Sequence, residues 1–395
     1  MSQSGATDTT TQVISRRGRA KDRLEEVAAE HPDVPRLVIL KTDVQRRGVH
    51  YTGSALRLLD PSLHQVTGTP IPGSRDGRLR PCPESLLMRD GSSILTAPTP
   101  LEEDPYWVDG IEGRLWLRDG GDPIEEVEYW PRPDYYGRLT AKGVDYRHIA
   151  SARPQGLHIS LGPARLDPED VAEVVGDALR EPGRFSALVI ITGSDPRGPE
   201  PFDREVDHCI EILRAIGRNF QNPAFPSQLN GSAYSRRQLE RLHARTGLMS
   251  YTADLEVLDP GLFQRLRPDK ARWVDYDEWK RRLVEAVAVF GRGRVGTGIL
   301  AGMELGGPHG YATEEEALGR NLDQAEWLAE RGVTTVFSLW KPPSGSFQGN
   351  ASLDFLIQLA KGFHRIRRSH GLTVEYGDYR RGGEHPDLDL DRLQN

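Results

Sequence analysis

The chain has 395 residues, with 51 Lys and Arg against 58 Asp and Glu, for a formal net charge of −7. That acidic balance, without a basic run interleaved with aromatics, argues against a nucleic-acid partner, and no apolar stretch reaches membrane-spanning length. Two cysteines, Cys82 and Cys209, make neither a disulfide framework nor a four-thiolate metal site, and a polar N-terminus without a signal-peptide core sets the cytoplasm as the expected compartment.

Residues 1–35 read as a disordered Ser/Thr/Gln-rich start followed by a short helix from Asp22 to Glu30. Residues 36–150 are expected to form a smaller, mostly β module. Leu37–Thr42 is an apolar run, Gly113–Arg118 alternates, and turn signals recur at Asp60-Pro61, Asp90-Gly91 and Asp119-Gly120-Gly121. Trp107, Trp116, Tyr129, Trp130, Tyr135 and Tyr136 are its packing residues or, alternatively, part of a substrate wall.

From residue 151 to 377 the texture changes to strands alternating with helices. Gly156–Leu161 is a strand. Asp167 then caps a helix that begins with Pro168 and carries Val171, Val174, Val175 and Ala178 on one face. Ala187–Thr192 is the next strand. Further strands are expected near 220, 250, 297 and 335, with helices over 204–216, 235–246, 275–290, 313–331 and 352–370. Six βα units are fewer than the eight of a closed barrel, so the fold class is α/β, a partial (βα)6 TIM-like barrel with a β-rich N-terminal module. Residues 378–395 read as a charged, mobile tail.

Parallel strands place ligands at their C-terminal ends. Gly193, Ser194 and Asp195 follow the second strand there, offering a pliable backbone, a hydroxyl and a carboxylate suited to a ligand's ammonium group.

Several segments resemble the radical S-adenosylmethionine (SAM) superfamily. They are Leu255–Phe263, Pro268–Arg272, Ala286–Val295, Gly298–Glu304 and Pro342–Ser346, in that order. The resemblance implies a SAM site in a partial barrel. Gly193, Ser194 and Asp195 would hold the amino group, and Asp254 or Glu256 the ribose. Gly298, Gly302 and Glu304 would lie near the adenine, with Ser338 on the sixth strand lining the same pocket. The family also places a cysteine motif in the loop after the first strand, whereas here Gly162–Leu166 holds no cysteine. The cofactor expectation is therefore SAM as substrate, with no iron–sulfur cluster.

SAM is an electrophile without any metal, because its sulfonium activates three carbons. A protein needs only to fix geometry, exclude water and supply a base. The expected function is polar chemistry at the γ carbon, releasing methylthioadenosine by 3-amino-3-carboxypropyl transfer or by closure to 1-aminocyclopropane-1-carboxylate. The alternatives are a SAM-dependent methyltransferase, a non-catalytic partner protein, and a radical enzyme whose cluster has other ligands. Candidate catalytic residues are His158, Lys341 and Tyr251, each with a plainer role as core histidine, solvated strand-end lysine and packing tyrosine. The partner is a small-molecule substrate. A Gly-rich run at Gly291–Gly298 precedes a strand rather than opening a helix, so it is no dinucleotide fingerprint.

Overall fold

The structure, a computed structural model, describes residues 24–70, 79–83, 85–153, 156–162, 165–193, 195–222, 224–305, 309–340, 351–372 and 385–393. The chain divides into two compact units. The first is Met1–Arg132 with Ser352–Ile357 and Arg381–Asn395; the second is Pro133–Ala351 with Gln358–Arg380. No helix among the described residues is long and apolar enough to cross a membrane.

The first unit is built on a mostly antiparallel six-stranded sheet, in the order Val49–Tyr51, Tyr106–Ile111, Arg114–Asp119, Asp122–Tyr129, Ser85–Met88, Ser93–Leu95. Two expectations are corrected here. The apolar run Leu37–Thr42 lies in a helix, Arg36–Arg47, not a strand. A short continuous apolar run has no period of its own. Here Pro35 opens a helix buried almost all round, Arg46 and Arg47 fill its last turn, and Gly48 stops it. Gly48 has φ 74°, and a Cβ there would lie 1.9 Å from Thr99 Oγ1, so only glycine fits.

The second correction is at the C-terminus. Pro386–Leu393 is a helix rather than a mobile tail, with Leu388 and Leu390 buried. Its Asp389 reaches the Lys41 ammonium at 2.9 Å, with side-chain exposures of 2% and 1%. Close by in sequence, Asp43 accepts from the Tyr106 hydroxyl at 2.8 Å, and Arg47 bonds Asp119 at 2.9 Å with its guanidinium over the Tyr106 ring. Charge counting along the tail could not show that its carboxylates have a buried destination.

Among its described residues the second unit holds six parallel strands: β1 (Gly156–Leu161), β2 (Ala187–Thr192), β3 (Ser227–Asn230), β4 (Ser250–Thr252), β5 (Val295–Ala301) and β6 (Val333–Leu339). They pair in strict chain order, and a short antiparallel strand, Ser151–Arg153, adds to β1. Between and after them run α1 (Pro168–Ala178), α2 (Asp203–Gly217), α3 (Arg236–Arg245), α4 (Tyr276–Phe290), α5 (Glu314–Glu330) and α6 (Leu353–Ser369), the last beginning in residues grouped with the first unit. Consecutive parallel strands with a helix after each form the wall of a TIM-like barrel, and among the described residues the first and last parallel strands do not pair: a partial barrel.

Local chemistry explains the boundaries. Asp167, Ser235, Asp275 and Thr313 each cap a helix by accepting a backbone N–H, and Ser235 with Gln238 completes a capping box. The third strand begins at Ser227 rather than near 220, and Phe220 and Phe225, stacked at 4.5 Å, lie in the connection before it.

The sheet has two unlike faces. Leu157, Ile159, Leu188, Ile190, Leu229, Val295, Ile299 and Phe337 are buried on one. Tyr251 stacks on Phe290 of α4 there and Phe337 meets Phe363 of α6, so this face takes the helices. The register places His158, Val189, Gln228 and Ser250 in one row of the opposite face, and Ser160, Ile191, Asn230, Thr252, Gly296 and Thr334 in the next. Strand β5 alternates buried and half-buried, with Gly296, Gly298 and Leu300 on the more open side.

The Lys41–Asp389 pair gives a stability prediction. Asp389→Ala strips a buried ammonium of its carboxylate and should lower unfolding free energy by about 3–5 kcal/mol in urea titrations. The joint replacement Lys41→Met with Asp389→Leu should recover most of that loss. Equal losses for the single and the double variant would contradict a buried-charge origin.

Candidate functional site

The open face gathers its polar groups at the C-terminal ends of β3, β4 and β5. Asp254, two residues beyond β4, has both carboxylate oxygens engaged. Oδ1 accepts the Gly298 amide at 2.7 Å and Oδ2 accepts Asn230 Nδ2 at 2.9 Å. A Cβ on Gly298 would lie 2.9 Å from Asp254 Oδ1, so glycine at this point of β5 makes room for the carboxylate. One step lower, Gln228 Nε2 donates to Thr252 Oγ1. A carboxylate offers about four lone-pair directions, and Asp254 spends two on these donors.

Glu256 follows in the left-handed region at φ 66°, rare for a residue with a side chain. Its backbone continues the sheet: the Glu256 amide donates to Gly298 O and its carbonyl accepts the Leu300 amide. Its carboxylate turns to two cations, Arg267 and Lys270, the latter at 2.7 Å. Lys270 also donates to Asp254 O at 2.7 Å and lies 5.1 Å from the Trp279 ring centroid. Burial pushes the Lys270 ammonium down, to about 8, against the pull of Asp254.

After β2, a Cβ on Gly193 would lie 3.0 Å from Leu161 O, a close approach of loop to strand. Asp195 is clasped by Arg197, with Nε at 2.6 Å and Nη2 at 2.8 Å, and this contact holds its carboxyl below the usual range. The Asp195 amide donates to Glu205 of α2.

Other expected residues are placed as follows. His158 is buried on the open-face side, level with Gln228. Ser338 lies half-buried on that side, paired with Leu300. Glu304 is buried and faces its own backbone, with Oε2 accepting the Gly302 amide at 2.9 Å and Oε1 accepting Asn321 Nδ2 at 2.8 Å. Burial raises its pKa. Gly302, at φ 98°, makes that turn. The expectation for Tyr251 is corrected. It lies on the helix-packed face, where its hydroxyl donates to Ser232 O and accepts the Tyr234 amide at 3.1 Å. Ser194 and Lys341 lie outside the described residues.

Three residues at this end of the sheet were not picked out from sequence: Glu205, Asn230 and Arg267. Glu205 looks like an ordinary acidic residue of a helix's first turn, and Asn230 like the end of a strand. Arg267 lies one residue before the Pro268–Arg272 segment that holds Lys270, and it pairs with Asp269 at 2.8 Å.

No protein-family model matches the chain, and no curated protein matches it. Among solved structures, it is similar to methylornithine synthase at 14% identity and TM-score 0.38, covering 58% of this chain and 72% of that one. It is also similar to a radical SAM methyltransferase from Sphaerobacter thermophilus at 15% identity and TM-score 0.38, covering 66% and 71%. Overlap this limited says nothing about what the chain binds.

Glu304 supplies a pH prediction. Its folded pKa is raised above the unfolded value, so the folded state holds a proton that the unfolded state releases, and stability falls as pH climbs above about 4.3. Glu304→Gln removes that dependence, and a flipped Asn321 amide keeps both bonds. Its unfolding free energy should match or exceed the parent's at pH 7, with a flatter pH profile. A large loss at pH 7 would show instead that the native state needs the carboxylate charge.

Proposed function

We propose that the chain is a SAM-dependent enzyme that acts by polar chemistry at the γ carbon and releases methylthioadenosine. The observation that carries the reading is the Asn230–Asp254–Gly298 arrangement. It is a carboxylate on the half-open face of a partial barrel, fixed by two donors and still able to accept more, where the sequence resemblance implies a ribose-binding acid. Two ribose hydroxyls would donate to the remaining lone pairs of Asp254. Asp195 would take the ammonium group, with Arg197 giving way. That exchange is inexpensive, since the Arg197 side chain is 65% exposed and exposed pairs contribute about 0–1 kcal/mol.

The same resemblance implies an iron–sulfur cluster on three thiolates, and the residues do not fit one. The sequence has two cysteines, which belong to different units. Both are buried; burial pushes the Cys82 thiol up to about 12 and the Cys209 thiol higher. The reaction is therefore written with electron pairs. A nucleophile bonds to the γ carbon as the γ carbon–sulfur bond breaks. That bond's electron pair stays on sulfur, giving neutral methylthioadenosine, and the nucleophile's proton passes to a base. When the nucleophile is SAM's own deprotonated α carbon, the product is 1-aminocyclopropane-1-carboxylate. His158, on the open-face side, is the proposed base.

Incubation of purified protein with SAM in air, with and without amine, thiol and carboxylate acceptors, should yield methylthioadenosine by mass spectrometry. Asp254→Ala, which loses hydrogen bonds to a charged acceptor at about 1.5–3 kcal/mol each, should lower kcat/KM by at least about tenfold. S-adenosylhomocysteine as sole product would favour methyl transfer, and intact SAM in every mixture would oppose enzymatic turnover.

A further inference from the structure

Glu205 is 6% exposed in the first turn of α2, and its carboxylate is shared by two loops. One oxygen accepts the Asp195 amide from the loop after β2. The other accepts the Tyr234 hydroxyl at 2.6 Å and the Ser232 hydroxyl at 3.0 Å, both from the loop after β3. Among the described residues, these partners are all neutral N–H and O–H donors. The positive end of α2 and the three donors therefore do what a cation does elsewhere. The second loop is held further, because the Tyr251 hydroxyl donates to Ser232 O and Arg282 Nη1 donates to Ala233 O at 2.8 Å. It is also tightly packed: a Cβ on Gly231 would lie 2.9 Å from the Tyr234 hydroxyl.

We propose that Glu205 is the positioning residue of the SAM site, pinning the loop that carries Asp195 to the loop that follows Asn230. The proposal rests on the SAM reading for its ligand but not for the pinning itself. Glu205 touches no ligand in this scheme. It fixes the spacing between the group that takes the ammonium and the strand end that supports Asp254.

Glutamine replaces this carboxylate only with weaker bonds, because the charge is lost. With its oxygen toward Tyr234 and Ser232, its NH₂ faces the Asp195 N–H, donor against donor. Flipped, its oxygen accepts the Asp195 N–H, but both hydroxyls must turn from donating to a charged oxygen to accepting from a neutral amide, which weakens each bond. Tyr234→Phe removes one donor and leaves the Asp195 bond in place.

Hydrogen–deuterium exchange on the ligand-free protein tests the pinning. In Glu205→Gln, peptides covering residues 187–202 and 227–236 should exchange at least about tenfold faster, while those covering β5 and β6 stay unchanged. In Tyr234→Phe, only the second peptide should accelerate. Calorimetry with SAM tests the positioning: Kd should rise about tenfold in Glu205→Gln. Unchanged exchange, or acceleration spread evenly over the second unit, overturns the proposal, as does local acceleration with parent-like SAM affinity. Failure of the parent protein to bind SAM sinks the SAM reading and, with it, the ligand-positioning role; the exchange pattern still decides the pinning.

Discussion

The Asp254 carboxylate ties together three strands of the second unit, β3, β4 and β5. It sits beyond the short strand β4, which pairs with β5 over just Tyr251 and Thr252. Asp254 then reaches across to the Gly298 amide on one side and the Asn230 amide group on the other. The polar side of the sheet is organised around this pair of bonds. Gly298 must lack a side chain to admit it, and Lys270 secures the same residue from behind through Asp254 O. A hydrogen bond to a charged acceptor is roughly twice as strong as a neutral one, so a single carboxylate suffices to hold a short strand in register.

The acidic residues of this region divide by what already satisfies them. Glu304 is enclosed by Gly302 and Asn321, and Glu205 by three donors from two loops. Both are buried, and each binds one backbone amide together with side-chain donors. Glu256 is committed to Arg267 and Lys270. Asp195 differs, since its partner Arg197 is largely exposed and belongs to the same turn. Asp254 differs too, because its partners leave part of the carboxylate free. Asp195 and Asp254 are therefore the acids of this region with room left for a further donor.

Much of the second unit was legible in the sequence because its helices announce themselves. Asp167, Ser235, Asp275 and Thr313 cap where their residue types suggest, and the apolar strands between them are long enough to be recognised. The failures have physical causes. Leu37–Thr42 is apolar without a period, so a helix buried on nearly every side reads like a strand. The 386–393 helix is charged, and its stability depends on a buried lysine more than three hundred residues earlier, a contact that no local pattern reports. Tyr251 has the right strand but the wrong face. In a strand of three residues, alternation is too brief to tell the two sides apart. Glu205 was missed because an acidic residue in a first turn already has a local explanation.

The most direct test of the central claim is a crystal structure of the protein with SAM. The account predicts the nucleoside on the open face, with ribose hydroxyls on Asp254 and the ammonium group at Asp195 in place of Arg197. SAM bound elsewhere, or that face filled by the protein's own side chains, would contradict it.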